Sequence, residues 1–88
     1  MSSFAVETNP RAIEIDVTDD VLVVHLADGR TVSVPLVWFP RILNASASER
    51  ADFRIIGDGE YINWPTLDED LSVSGLLRGT RAVGRLIE

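Results

Sequence analysis

The sequence has no cysteine and no lysine, and only one histidine, His25, in its 88 residues. Without cysteine there is no disulfide, no thiolate nucleophile and no cysteine-ligated zinc site. Without lysine there is no Schiff-base chemistry, and one histidine rules out a multi-histidine metal centre. Positive charge is also scarce: eight arginines face 14 acidic residues, for a net charge of −6. Such a chain offers no basic field to a phosphate backbone, so no direct nucleic-acid contact is expected. Long apolar runs are missing too. The longest, residues 21–24 and 35–40, fall far short of the ~20 residues of a membrane span. Residues 1–10 lack the apolar stretch and basic flank of a secretory signal. The expectations are a cytoplasmic protein with no membrane association, no cofactor, no metal ligand and no catalytic residue.

What is present suffices for one small domain. Apolar residues make up 45% of the chain, too many for a disordered acidic tail. A chain of this length buries roughly 60–65% of its unfolded surface, so its core is real but thin. Ile13, Ile15 and Val17 alternate with Glu14, Asp16 and Thr18, which is the pattern of a half-buried strand. Residues 21–26 and 31–36 read as two further strands, separated by turns at Asp19-Asp20 and Ala27-Asp28-Gly29. The second turn sets the register. A two-residue Asp28-Gly29 loop would pair His25 with Val32. A three-residue loop, with Gly29 left-handed, pairs Leu26 with Arg30, Val24 with Val32 and Leu22 with Val34. Only the longer loop gathers the large aliphatics on one face, and it turns His25 outward. A four-residue loop from Thr18 to Val21 then sets Val17 against Leu22, Ile15 against Val24 and Ile13 against Leu26.

Helical signals follow. Pro40 suits a helix start, and residues 40–45 form one short turn approached by Trp38 and Phe39. Ser46 and Glu49 have capping-box spacing, which predicts a helix over 47–53. Residues 54–56 and 60–64 read as strands around a Gly57-Asp58-Gly59 turn, and Pro65 ends the second. Ser72 caps a last helix over 73–78, closed by Gly79. The fold class is therefore α+β: a three-stranded antiparallel meander, short helices and a second hairpin in two layers. Residues 1–11 are expected as a flexible segment, 12–79 as the domain and 80–88 as a basic tail. Trp38, Phe39, Phe53 and Trp64 are the aromatic candidates for the core.

Few side chains suggest chemistry. The run Asp68-Glu69-Asp70 offers oxygen ligands for a hard cation, but three residues in a row cannot all face one point. Read without a ligand, it is a solvated loop before a helix N-terminus, where negative charge is favoured. Gly57-Asp58-Gly59 lacks the spacing of a phosphate loop. Thr31 or Ser33, His25 and Asp28 form a hydroxyl–imidazole–acid set on paper, without a nucleophile elbow or an oxyanion hole. Trp38 and Trp64 are either core or interface anchors. Residues 78–88 carry three arginines and one glutamate, net +2, while the remainder carries five arginines and thirteen acids, net −8.

One series of motifs spans most of the chain. It runs Gly29-Arg30, Val34-Pro35-Leu36, Trp38-Phe39-Pro40-Arg41, Ala45, Glu49-Arg50, Gly57-Asp58-Gly59, Ile62, Trp64-Pro65, Leu67-Asp68-Glu69-Asp70-Leu71-Ser72, Leu76-Leu77 and Gly79. In this order, from about residue 12 to residue 79, it closely resembles the bacterial domain of unknown function 2442. Family members commonly carry histidine just before the second tryptophan, where this chain has Asn63, and this lowers any expectation of an enzyme. The resemblance implies a small α+β protein. Members are sometimes fused to a helix-turn-helix domain, which is not found in this sequence. They are often encoded beside another small protein, in an arrangement similar to toxin–antitoxin pairs. That implies a partner rather than a substrate: a non-enzymatic binding module, antitoxin-like or regulatory. Its acidic surface would meet a small basic protein encoded nearby, through Trp38, Arg41, Trp64, Asp68, Glu69 and Asp70. Self-association as a homodimer is a second expectation, since short strands leave open edges. The alternative class is a metal- or ligand-binding protein, or a small enzyme, using the Asp68-Glu69-Asp70 run.

Overall fold

Residues 10–79 are described by the structure, a computed structural model, and the order of their strands follows the chain. β1 (Ala12–Val17), β2 (Val21–Leu26) and β3 (Thr31–Pro35) form one antiparallel meander. β4 (Arg54–Ile56), β5 (Tyr61–Trp64) and β6 (Glu69–Ser72) form a second. Between them lie a 3-10 turn (Leu36–Trp38) and two short helices, α1 (Pro40–Leu43) and α2 (Ala47–Ala51). α3 (Val73–Arg78) follows β6 directly. Both sheets and the helices enclose a single core, with Leu22 and Val24 from the first sheet, Ile62 and Trp64 from the second, and Phe39 and Ile42 between them. The expected residues 1–9 of the flexible segment and the tail at 80–88 lie outside the described residues. Arg11, at the end of the first, is tied down: its carbonyl accepts the Ala27 N–H at 2.8 Å.

The first meander has the register that the aliphatic pattern requires. Leu22 faces Val34, Val24 faces Val32, and His25 faces Thr31. Leu26 N–H donates to the Arg30 carbonyl at 2.8 Å, closing the three-residue loop, and Gly29 has φ 98°. Asp28 braces this loop. The Arg30 backbone N–H donates to its Oδ1 at 3.0 Å and the Arg30 guanidinium to its Oδ2 at 2.9 Å. These bonds, the backbone donor first, hold the Asp28 carboxyl below its ordinary value. A carboxyl depressed in the folded state contributes stability above its unfolded pKa, and the contribution is lost as pH falls through the folded value. An NMR titration should place the Asp28 carboxyl below the ordinary aspartate value, and Arg30→Ala should move it up while leaving a residual depression from the backbone donor.

β1 departs from strict alternation at one point. Ile13 was expected in the core opposite Leu26, but Ala12 is the residue opposite Leu26 and the register shifts between Ala12 and Glu14. A bulge therefore leaves Ile13 63% exposed. The Gly57–Gly59 turn comes down onto the Ala12 backbone so closely that a Cβ on Gly59 would sit 2.8 Å from the Ala12 carbonyl oxygen. The close approach and the bulge fall at the same point of β1, with Ile13 outside the ladder.

The helix starts follow their capping signals. Ser46 Oγ accepts the Glu49 N–H while Glu49 Oε1 accepts the Ser46 N–H. α2 ends at Ala51, two residues short of the expected 53, because the chain turns there to pack Phe53 against Trp64 with ring centroids 6.0 Å apart. Ser72 Oγ accepts the Gly75 N–H at the start of α3, and Gly79 ends it at φ 83°. The second sheet has one strand more than the expected hairpin. The acidic run 68–70, expected as a loop, instead leads into β6, which is paired along its length with β5.

Candidate functional site

β6 alternates, and alternation scatters the acidic run. Pro65–Leu67 makes a 3-10 turn, and Asp68 takes the left-handed conformation that lets the chain reverse into β6. Glu69 and Leu71 then point inward, while Asp70 and Ser72 point outward. The reading of Asp68-Glu69-Asp70 as a solvated loop before a helix is therefore corrected. Asp68 is fully exposed at the turn with its carboxylate 4.0 Å from Arg41 Nη1, Glu69 is buried across from Trp64, and Asp70 belongs to the outer sheet face. Among the described residues, no group of three metal-ligating side chains converges.

Arg41 is brought to this turn from α1, 27 residues away in the chain. Its Nη1 donates to the Asp68 carbonyl at 2.7 Å and lies 3.7 Å from Glu69 Oε1. The guanidinium thus holds the turn and faces the one inward carboxylate of the run. Arg41 is engaged with this turn while its side chain stays 61% exposed, and Glu69 is turned inward. Trp64, a second expected contact, is fully buried, and its indole N–H donates to the Arg50 carbonyl at 2.9 Å. Core packing against Phe53 accounts for it, and it offers no surface to a partner. Trp38 is half-buried and packs edge-to-face on Phe39 at 6.5 Å.

Sequence reasoning missed Arg50. Its side chain is 14% exposed. Nε donates to the Ile42 carbonyl at 3.1 Å and Nη2 to the Leu43 carbonyl at 2.7 Å, satisfying carbonyls at the end of α1. Nη1 reaches Asp19 Oδ1 at 3.1 Å in the β1–β2 turn. Asp19 is almost fully exposed, so that ion pair contributes little. The carbonyl bonds carry the stability. A lysine cannot span acceptors lying in different directions, and Arg50→Lys should cost about 1.5–3 kcal/mol in urea unfolding, with Asp19→Ala costing under about 1 kcal/mol.

Two surfaces remain. On the outer face of the first sheet, His25 Nε2 lies 3.1 Å from Asp16 Oδ2 and Nδ1 lies 3.4 Å from Thr31 Oγ1. The acid in this line is Asp16 on β1, not Asp28, which is taken by Arg30. It is a polar ladder stitching three strands together. On the outer face of the second sheet, Arg54, Asn63 and Asp70 form one cross-strand row, and Ile56, Tyr61 and Ser72 form the next. Asn63 Nδ2 donates to Asp70 Oδ1 at 2.7 Å. Ile56 and Tyr61 sit directly opposite each other and are 43% and 45% exposed. This apolar pair was legible as the outward positions once Ile62 and Trp64 were taken as inward.

A model built on proteins of unknown function, DUF2442, matches residues 12–82. The chain belongs to the DUF2442 family. The crystal structure of a protein of unknown function from Rhodospirillum rubrum is 29% identical over 92% of this chain and 100% of that one, with a TM-score of 0.76. The solution structure of an uncharacterised protein from Chromobacterium violaceum is 24% identical over 82% of this chain and 68% of that one, with a TM-score of 0.69. The latter shows the DUF2442 fold alone. No curated protein is significantly similar in sequence. Among the described residues of this DUF2442 chain, no helix is long and apolar enough to cross a membrane.

Proposed function

We propose that this DUF2442 chain is a non-enzymatic protein-binding module whose outer second-sheet face contacts a basic partner. The exposed Ile56–Tyr61 pair supports this reading. A β-branched residue and a tyrosine left opposite each other on an open sheet face form a small apolar centre with a polar rim, the usual anatomy of a contact patch. Asp70 lies on that face. The net charge of −6 would draw a cationic partner and speed the encounter. The gene pairing that the resemblance implies would make a neighbouring small gene's product the first candidate partner, in an antitoxin-like or regulatory pair acting in the cytoplasm.

The test is a binding titration of the full chain with the purified product of the neighbouring gene. Tyr61→Ala should weaken binding at least tenfold, about 1.4 kcal/mol, and Asp70→Asn should lower the association rate and its salt sensitivity. Asp68→Ala, at a turn held through the Asp68 backbone carbonyl, should have little effect. Full affinity in both Tyr61→Ala and Asp70→Asn would reject this face as the contact.

A further inference from the structure

Among the described residues, the order β1-β2-β3 leaves one long edge of β1 without a neighbouring strand. Backbone bonding fixes which groups line it. Thr18 N–H donates to the Val21 carbonyl and Ala27 N–H to the Arg11 carbonyl. Antiparallel pairs alternate, so Asp16 and Glu14 exchange bonds with Val23 and His25, and the N–H and C=O of Ile15 and Val17 point to the open edge. No helix or loop backbone among the described residues bonds to either.

Below this edge lies a groove of about 260 Å³. Ile15, Val17 and Phe53 line its apolar side, Ala47 and Ala51 line it from α2, and Asp16 with the Arg50–Asp19 ion pair forms its polar side. Two alanines on the facing helix leave room that larger side chains would fill. The groove can take a large aliphatic side chain, set down from a strand lying beside β1.

Charge selects the occupant. Glu14 and Asp16 stand on the outward face of β1 at alternate positions, and both are exposed. A second copy of β1 pairing antiparallel about Ile15 would place Glu14 of one chain against Asp16 of the other. Like charges directly opposite destabilise a strand pair. The same two carboxylates favour a strand with cations at alternate positions.

We infer that the free edge of β1, with the groove between it and α2, accepts an extended segment of a basic partner protein by strand addition. Main-chain bonds to Ile15 and Val17 supply affinity, and an apolar side chain in the groove flanked by cations facing Glu14 and Asp16 supplies selectivity. The site lies on the first sheet and stands or falls apart from the second-sheet face.

The probe is a blocked heptapeptide, Arg-Val-Arg-Leu-Arg-Val-Arg, titrated into the isotope-labelled full chain. The expected result is slowed hydrogen exchange at the Ile15 and Val17 amides, with shift changes at Ala47 and Ala51. N-methylation of alternate peptide amides, which removes the edge-facing donors and keeps every charge, should weaken binding at least tenfold. Ala51→Leu, an exposed and helix-compatible change whose melting temperature serves as the folding control, should do the same by filling the groove. Tyr61→Ala should leave peptide binding unchanged. Equal binding by the N-methylated peptide would mean attraction by charge alone and overturns the proposal. Protection of Ile15 and Val17 that rises with protein concentration before any peptide is added would assign the edge to a second copy and also overturns it. So would prior protection that is lost in Arg81→Glu with Arg85→Glu, which would assign the edge to this chain's own C-terminal residues.

Discussion

Trp64→Ala should lower the unfolding free energy by about 3–5 kcal/mol, the range for removing a fully buried large aromatic. Three contributions are lost together. The indole is completely buried between the sheets, its ring packs on Phe53 at 6.0 Å, and its N–H satisfies the Arg50 carbonyl. A core this thin cannot collapse into so large a void, because the same side chain anchors the sheet and the α2 end. Urea denaturation should show a lower midpoint with an unchanged slope. Trp64→Phe separates the contributions. It keeps much of the ring volume and leaves the Arg50 carbonyl without its donor, so it should cost about 1–3 kcal/mol. If Trp64→Phe is as damaging as Trp64→Ala, the hydrogen bond dominates and the packing account is wrong.

Gly59→Ala should cost about 3 kcal/mol or more, and Gly29→Ala should cost only about 1–2 kcal/mol. The two glycines make a controlled pair. Their φ values are 95° and 98°, so the backbone penalty for a side chain is nearly the same. Around Gly29 a Cβ would meet nothing within 4 Å, whereas at Gly59 it would meet the Ala12 carbonyl oxygen at 2.8 Å and the Arg11 Cβ at 2.9 Å. The excess at Gly59 measures how tightly the second-sheet turn is pressed onto the start of β1. Equal costs at the two positions would mean that the turn lifts away freely.

The first meander was legible down to its register because its large aliphatics allow only one loop length to place Leu22, Val24 and Leu26 on one face. Ile13 was not legible. Its exposure follows from the register shift between Ala12 and Glu14, and no local pattern carries that information. β6 was hidden by its own composition. Three acids in succession argue against a strand until Arg41 is known to face Glu69, a pairing set by the tertiary fold. The same arginine goes with the scatter of the acidic run: one carboxylate is turned inward, one stands at the turn, and one lies on a sheet face. Arg50 looks like an ordinary surface residue of an amphipathic helix, and its role depends on where α1 ends and where the β1–β2 turn lies. The exposed Ile56–Tyr61 pair follows from alternation alone, once Ile62 and Trp64 are taken as core.

Strand pairing has a kinetic consequence. Among the described residues, all six strands pair only with a strand adjacent to them in the chain. Each sheet can form by closing short loops, which costs little chain entropy, and neither has to wait for a distant segment to arrive. Such local wiring favours rapid folding for a protein rich in strands. The joins between halves, Gly59 on Ala12, Trp64 on Arg50 and Arg50 on Asp19, then complete the molecule late. Substitutions there should act mainly by hastening unfolding, while substitutions within either meander, at Val24 or Ile62, should slow the folding step itself.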